Sequence, residues 1–348
     1  MRRHTRLWTA LAVAAGTLLG LPAPAPADSV LQILTWEGYT DPSFTDAFEN
    51  ETGCRVRTIV VGRNDDFFSR LLAGVGDFDL VSPSIDTTSL LVKLGLIEPI
   101  VPSWVWRFPE IYLALREHPG IQADGELWAV PFAWSPITLL YRTDKVAEPP
   151  DSWDALWDPA YAGKIALFDD KSSLYMTARL LFGRDTAAFD LDDAALGAVR
   201  DKLIAQKPLL RKYWGSATEL ISLYITGDVW ISDSWGRVEG PLRGQGLPMA
   251  SVIPRERANA WADAWQIVRG AENLDCAYAW LNFSLSVEAQ CGMQAVTGYS
   301  GTNPVALASC AEAGPLPDAA QITEYVFWRE PNRLLRYIDS WTAIKAAE

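Results

Sequence analysis

Histidine is nearly missing from this chain of 348 residues: there are two, His4 and His118, and only His118 lies beyond the N-terminal apolar run. Imidazole acid–base chemistry and His-based metal ligation are therefore poorly supported, and no cofactor is expected. Cysteine is also scarce, with Cys54, Cys276, Cys291 and Cys310 at spacings unlike zinc-binding loops. Four Cys allow three complete disulfide pairings, and the spacing does not choose among them. The expectation adopted is Cys276 with Cys310, which flank the segment carrying Tyr299; Cys291 with Cys310 is the alternative. Basic residues are outnumbered, 30 Lys and Arg against 43 Asp and Glu, so the net charge is −13. That balance permits a basic partner and disfavours nucleic acid, although acidic surfaces also simply keep proteins soluble. Beyond residue 27 no run approaches the roughly 18 uninterrupted apolar residues of a membrane span.

What is present begins with "MRRHTRLWTALAVAAGTLLGLPAPAPADS": three Arg, an apolar run from Leu7 to Leu21, then small residues ending at Ala27. This order reads as a cleavable export signal over residues 1–27, cut before Asp28, with no nearby Cys to carry a lipid. The expected location is the periplasm. Its removal takes three Arg and no acid, leaving 27 basic against 43 acidic residues, a net charge of −16. Fifteen of the 16 Trp remain, enough to fill a core and reserve a few rings for a ligand.

Along the body, strand and helix patterns alternate. "VLQILTW" reads as a buried strand; a helix starts at Asp41-Pro42, buries Phe44 and Phe48, and stops at Gly53. "RVRTIVV" and "FDLVS" read as strands, with the helix "NDDFFSRLLAGVG" between them. The rhythm returns at "ITLLY" (137–141) and "KIALF" (164–168), followed by helices at Ser172–Phe182 and near Asp192–Gln206, which argues parallel sheets covered by helices. A Pro-punctuated link from Pro131 to Pro136 and a second from Pro254 to Trp265 suggest that the chain crosses twice between two α/β lobes. A cleft between such lobes gathers strand C-termini from both sides.

In "ANAWADAWQIV", Trp261, Asp263 and Trp265 occupy every second position. On a strand they would share one face, a carboxylate between indoles, suited to a cation with an apolar body. The spacing fits equally a core strand whose Asp caps a neighbouring turn.

The segments "LTWEGYTDPSFTDAFENETGCRV", "FDLVSPS", "WAVPFAW", "DSWDALWDPAYAGKIALFDD", "WADAW", "AWLNFSLSVEAQ" and "TGYSGTNPVA" occur in the order seen in bacterial periplasmic spermidine/putrescine-binding proteins. The chain resembles that family over nearly its whole length after residue 27. The resemblance implies an α/β, two-lobed periplasmic-binding-protein fold of type II: two Rossmann-like lobes, a hinge and an interlobe ligand cleft. The expected N-terminal lobe is residues 28–135 plus 262–305, and the C-terminal lobe 136–261 plus 306–348. It also implies a non-enzymatic, monomeric receptor for a small cationic amine, delivering it to an inner-membrane ABC permease and its ATPase.

Carried over by motif, the site falls on Trp36, Tyr39, Ser84, Asp170, Trp235, Trp261, Asp263 and Tyr299, to which Asp86 is added as an acid where the family often has an aromatic. Asp170 and Asp263 would accept from ammonium groups, the rings would line the methylene path, and Ser84 and Tyr39 would complete the hydrogen bonding. Trp265 reads as core or as support behind the site. Three departures bear on ligand choice: Gly38 stands where an acid often precedes Tyr39, Ser173 replaces a Glu with Lys171 nearby, and Arg329 replaces an amide. Two alternatives follow: another organic cation or an amino-acid-like zwitterion whose carboxylate meets Arg329, and, more remotely, a secreted glycosidase using Asp170 and Asp263.

Overall fold

The computed structural model describes residues 29–74, 77–310, 322 and 325–347; the export signal expected over residues 1–27 lies outside them. The first strand is Val30–Trp36. After it, Asp41 caps the helix Pro42–Thr52 by accepting from the Ser43 N–H, Pro42 opens the helix, and Gly53 closes it at φ 76°. Phe44 and Phe48 turn inward, each worth about 1.5–3 kcal/mol of burial.

Val30–Trp36 runs parallel to Arg55–Val61 on one side and to Leu80–Val81 on the other. A second set joins Ile165–Phe168 in parallel to Ile231–Trp235 and to Leu210–Trp214. Between the sets lie two long antiparallel neighbours, Val130–Arg142 and Asn259–Val268, so one twelve-stranded mixed sheet runs through the molecule. The parallel sets follow from the strand–helix alternation; the antiparallel pair at the centre does not.

The first expected link is part of a strand rather than a break before one, while the second is a turn over residues 254–258 that runs into the strand Asn259–Val268. Residues 130–136 pair with Asn259–Val268, while residues 137–142 pair with Ile231–Trp235 and Met249–Val252. Pro131 is accommodated beside the register shift at Asp263/Ala264, and Pro136 sits where the strand changes neighbours, positions at which a missing N–H breaks no regular ladder. "ITLLY" is thus the second half of a strand of 13 residues. The strand Asn259–Val268 reaches the first set through Gln266 and Ile267, which pair with Leu80–Val81. The fold is two-lobed, with these two strands as the crossings.

Each set has its own apolar packing: Leu34, Phe67, Leu71 and Val81 on one side, Leu140, Trp214, Leu220 and Tyr224 on the other. The C-terminal helix Leu334–Ala346 docks on the helix Asp193–Gln206, where the Tyr337 hydroxyl donates to the Ala188 carbonyl at 2.8 Å.

The cysteine expectation is corrected. Cys276 pairs with Cys54, and Cys310 with Cys291. The helix Leu274–Phe283 lies against Pro42–Thr52, bringing Cys276 to Cys54, two residues past that helix; a sequence separation of 222 hides this neighbour from any local reading.

Candidate functional site

The strand Asn259–Val268 is buried on both faces along its whole length. Asp263 is 5% exposed, and its Oδ2 accepts from the Tyr39 hydroxyl at 2.6 Å. Tyr39 reaches it from the turn after the first strand, where Gly38 has φ 87° and an added Cβ would stand 2.9 Å from Thr297 Cγ2. Both the backbone angle and the space require glycine there, which accounts for the missing acid before Tyr39. Trp261, two residues before Asp263, meets the edge of Tyr299 with ring centroids 4.5 Å apart. Tyr299 is held by its N–H to the Thr297 hydroxyl, just beyond the helix Val287–Thr297.

Burial raises the Asp263 carboxyl well above the usual range; the Tyr39 hydrogen bond opposes this and the charge of Asp86 adds to it. An acid so placed gains from any cation that replaces its lost hydration.

Asp86 lies beside it because Pro83 and Ser84 are laid against the crossing strand. Ser84 bridges Asp263, its hydroxyl donates to the Ala262 carbonyl at 3.3 Å, and Ala264 donates to the Pro83 carbonyl. Asp86 is 6% exposed, and burial raises its carboxyl, countered first by Lys171. Lys171 Nζ approaches Asp86 Oδ2 to 3.7 Å, while Asp86 Oδ1 is buried with no hydrogen-bond partner. Lys171 follows the strand Ile165–Phe168, so this ion pair joins the two strand sets. Next to it, Asp170 is half-buried and its Oδ1 accepts from the Ser172 N–H at 2.7 Å. The buried Tyr175 hydroxyl also lacks a partner, and Asp86, Asp170 and Lys171 all act on it.

At the rim a second pair crosses between the sets: Arg237 Nη2 lies 3.7 Å from Glu37 Oε2, with its guanidinium 5.9 Å from the Tyr299 ring centroid. Trp235 ends the strand Ile231–Trp235 and packs edge-on against Phe168 and Trp214 at 5.0 and 4.9 Å. Trp36 packs edge-on against Phe67 at 5.0 Å with its Nε1 buried and unpartnered.

The structure thus gathers Tyr39, Ser84, Asp86, Trp261, Asp263 and Tyr299 in one group, with Asp170 facing it beside Lys171. Trp36 and Trp235 each close onto the aromatic packing of their own strand set. Trp265 is fully buried among Phe132, Tyr39 and Trp280. Arg329 pairs with Asp190 and lies 5.6 Å from the Phe189 ring centroid, a local contact away from the group around Asp263. Ser173, 3% exposed, turns its hydroxyl to the Phe168 carbonyl.

Sequence reasoning missed Tyr175, Arg237 and Asp233, and did not join Lys171 to Asp86. Asp233 is buried beneath the second aromatic wall, where its Oδ1 accepts from the Phe168 N–H and from Trp214 Nε1, both at 2.9 Å. Burial pushes it up to about 7. An acid inside the short strand-like run "VWISDSW", between Ile231 and Trp235, was the available signal. Among the described residues no three His, Cys, Asp or Glu come together as a metal site requires, and no helix is long and apolar enough to cross a membrane.

Trp36, Tyr39, Ser84, Asp86, Asp170 and Trp235 end or follow parallel strands of the two sets, where ligands of open α/β sheets bind, whereas Trp261 and Asp263 are supplied by the antiparallel crossing strand. Comparison with known proteins adds the following. Residues 43–321 match the family described as "Bacterial extracellular solute-binding protein". The putrescine-binding periplasmic protein PotF of Escherichia coli is 27% identical over 317 residues, covering 85% of this chain and 82% of its own. The putrescine-binding periplasmic protein SpuD of Pseudomonas aeruginosa is 25% identical over 375 residues, covering 100% of both. The crystal structure of the TpPotD lipoprotein of Treponema pallidum superposes with a TM-score of 0.81 at 19% identity, covering 91% of this chain and 99% of that one.

Proposed function

Because the chain belongs to the bacterial extracellular solute-binding proteins, we propose that it captures a polyamine of the putrescine or spermidine kind between its lobes. It then presents the loaded form to the membrane permease of an ABC importer. The observation that carries this is Asp263: a carboxylate 5% exposed, held by a single phenol and bordered by the Trp261–Tyr299 pair. An ammonium placed there restores the charge of the acid, while ring faces attract it by about 0.5–2 kcal/mol per good contact and cover its methylenes. Trp36, Tyr39, Ser84, Asp86, Asp170, Trp235, Trp261, Asp263 and Tyr299 form the site in this reading.

The remaining assignments are part of the same proposal. The N-terminal lobe is residues 28–135 plus 262–305 and the C-terminal lobe 136–261 plus 306–348, which agrees with how the two crossing strands change neighbours. The protein is exported to the periplasm by residues 1–27, acts there as a monomer without catalysis, and meets a permease driven by its ATPase. The engagement of Arg329 by Asp190 removes the motive for a zwitterion in its neighbourhood.

Thermal melting of the purified protein with putrescine, spermidine and unrelated amino acids tests the reading. A ligand that binds only the folded state raises Tm according to RT ln(1 + [L]/Kd). Stabilisation by amines is expected; none at saturating concentrations of either overturns it.

A further inference from the structure

The cleft carries charges of its own making. Four carboxylates line it, Glu37, Asp86, Asp170 and Asp263, against two cations, Lys171 and Arg237. Arg237 and Glu37 meet at the rim, where Glu37 is 73% exposed and water weakens the pair. Lys171 and Asp86 meet inside, with side chains 21% and 3% exposed. Each pair joins one strand set to the other. With all four of these acids ionised, the balance these groups leave for a guest is two negative charges.

We infer that Lys171 is a specificity-determining residue: its ammonium takes the place at Asp86 that a third ligand ammonium would otherwise fill, which limits the site to diamines. This rests on the polyamine reading above. Asp86 has the form of a ligand anchor, since it is buried, adjoins Asp263, and keeps Oδ1 without a partner. The unpartnered Oδ1 suits an ammonium, which has three donors. The cation facing it is at 3.7 Å, longer than a direct hydrogen bond, so the pairing neutralises charge without saturating the acceptor. A triamine reaching Asp86 would bring a second ammonium against Lys171 in a buried place. Like charges desolvated together discriminate by repulsion, the cost rising with the number of ammonium groups brought to the site. A diamine held by Asp263 and Asp170 leaves Asp86 to Lys171.

Calorimetric titration with putrescine and spermidine tests this on the full chain, its Lys171→Met variant and its Lys171→Arg variant. The parent is expected to favour putrescine. Lys171→Met should shift the spermidine-to-putrescine affinity ratio toward spermidine by about tenfold or more, because Asp86 becomes available. Lys171→Arg keeps the charge and should keep the parental ratio; it also serves as the folded reference if Lys171→Met proves unstable, since a shift toward spermidine in Lys171→Arg would itself contradict the inference. An amine-binding parent whose ratio changes less than twofold in Lys171→Met overturns the role of Lys171 and leaves the polyamine reading intact. Absence of amine binding by the parent and both variants overturns both. Spermidine binding that appears only in Lys171→Met supports the inference.

Discussion

Asp263 and Asp86 are neighbouring, equally buried acids of the cleft with opposite fates. Asp263 sits on the crossing strand, held by a neutral phenol and edged by rings, with no cation of the protein's own against it among the described ion pairs. Asp86 sits one bridge away and faces Lys171. Burial raises both carboxyls, so burial alone does not mark a ligand anchor. What separates them is whether the chain itself supplies the counter-ion: Lys171 faces Asp86, whereas the proposed reading leaves the place at Asp263 to the ammonium of the guest.

The sharpest way to break this comparison is Asp263→Asn, which keeps the acceptor for Tyr39 and removes the charge. Losing one member of a buried charge pair costs about 2–5 kcal/mol, roughly 30-fold or more in affinity. Titration with the best amine checks it, and an affinity within twofold of the parent would return Asp263 to a core role.

A third buried acid provides the contrast from the stability side. Asp233 already has two donors and faces the second aromatic wall, so it should matter for folding and not for the guest. Its carboxyl lies above the ordinary Asp value, at about 7, so the folded state holds that proton more tightly than the unfolded one. The associated stability is complete below about pH 4 and is lost as pH rises toward 7. A shift of this size corresponds to ~4 kcal/mol at most. Unliganded Asp233→Asn should therefore show a shallower decline in denaturant stability across that window than the parent, the contributions of Asp263 and Asp86 remaining, with amine affinity unchanged.

Weaker effects follow at the edges of the cleft. Trp261→Leu keeps an apolar wall but removes the π face, and should cost about 1 kcal/mol of affinity, about fivefold, in the same titration. Asp170→Asn should cost least, below about 1 kcal/mol, because this half-exposed carboxylate is screened by water and already accepts from Ser172. If Asp170→Asn were the more damaging of the two Asp→Asn changes at the cleft, the assignment of the principal anchor would move to the far lobe.

Much of the scaffold was legible because its signals are local. Asp41, Pro42 and Gly53 are a helix start and stop within a dozen residues, and the alternation around Asp263 is that of a strand. The two crossings were legible as places but not as shapes: proline read as a break, whereas a partner change and a register shift let Val130–Arg142 continue through Pro131 and Pro136. Asp86 with Lys171, and Cys54 with Cys276, were not legible as partners. Each pairing is decided by how separate elements pack, and nothing within reach of either residue in the sequence reports the other. Asp263 and Tyr39 came within reach only through the family pattern, which places both beside a ligand without saying that they bond to one another.

The two disulfides join the cysteines in the order in which they occur, first to second and third to fourth. A chain threaded N-terminus first into an oxidising space, as extracellular proteins are, delivers Cys54 alone, and the next thiol to arrive is Cys276, its native partner. Cys291 then emerges with Cys310 only 19 residues behind it. Oxidation that keeps pace with emergence would make both correct bonds at the first attempt, with no shuffling of mispaired sulfurs. The pairing that spacing could not choose is therefore the one that the passage of time through a pore would write.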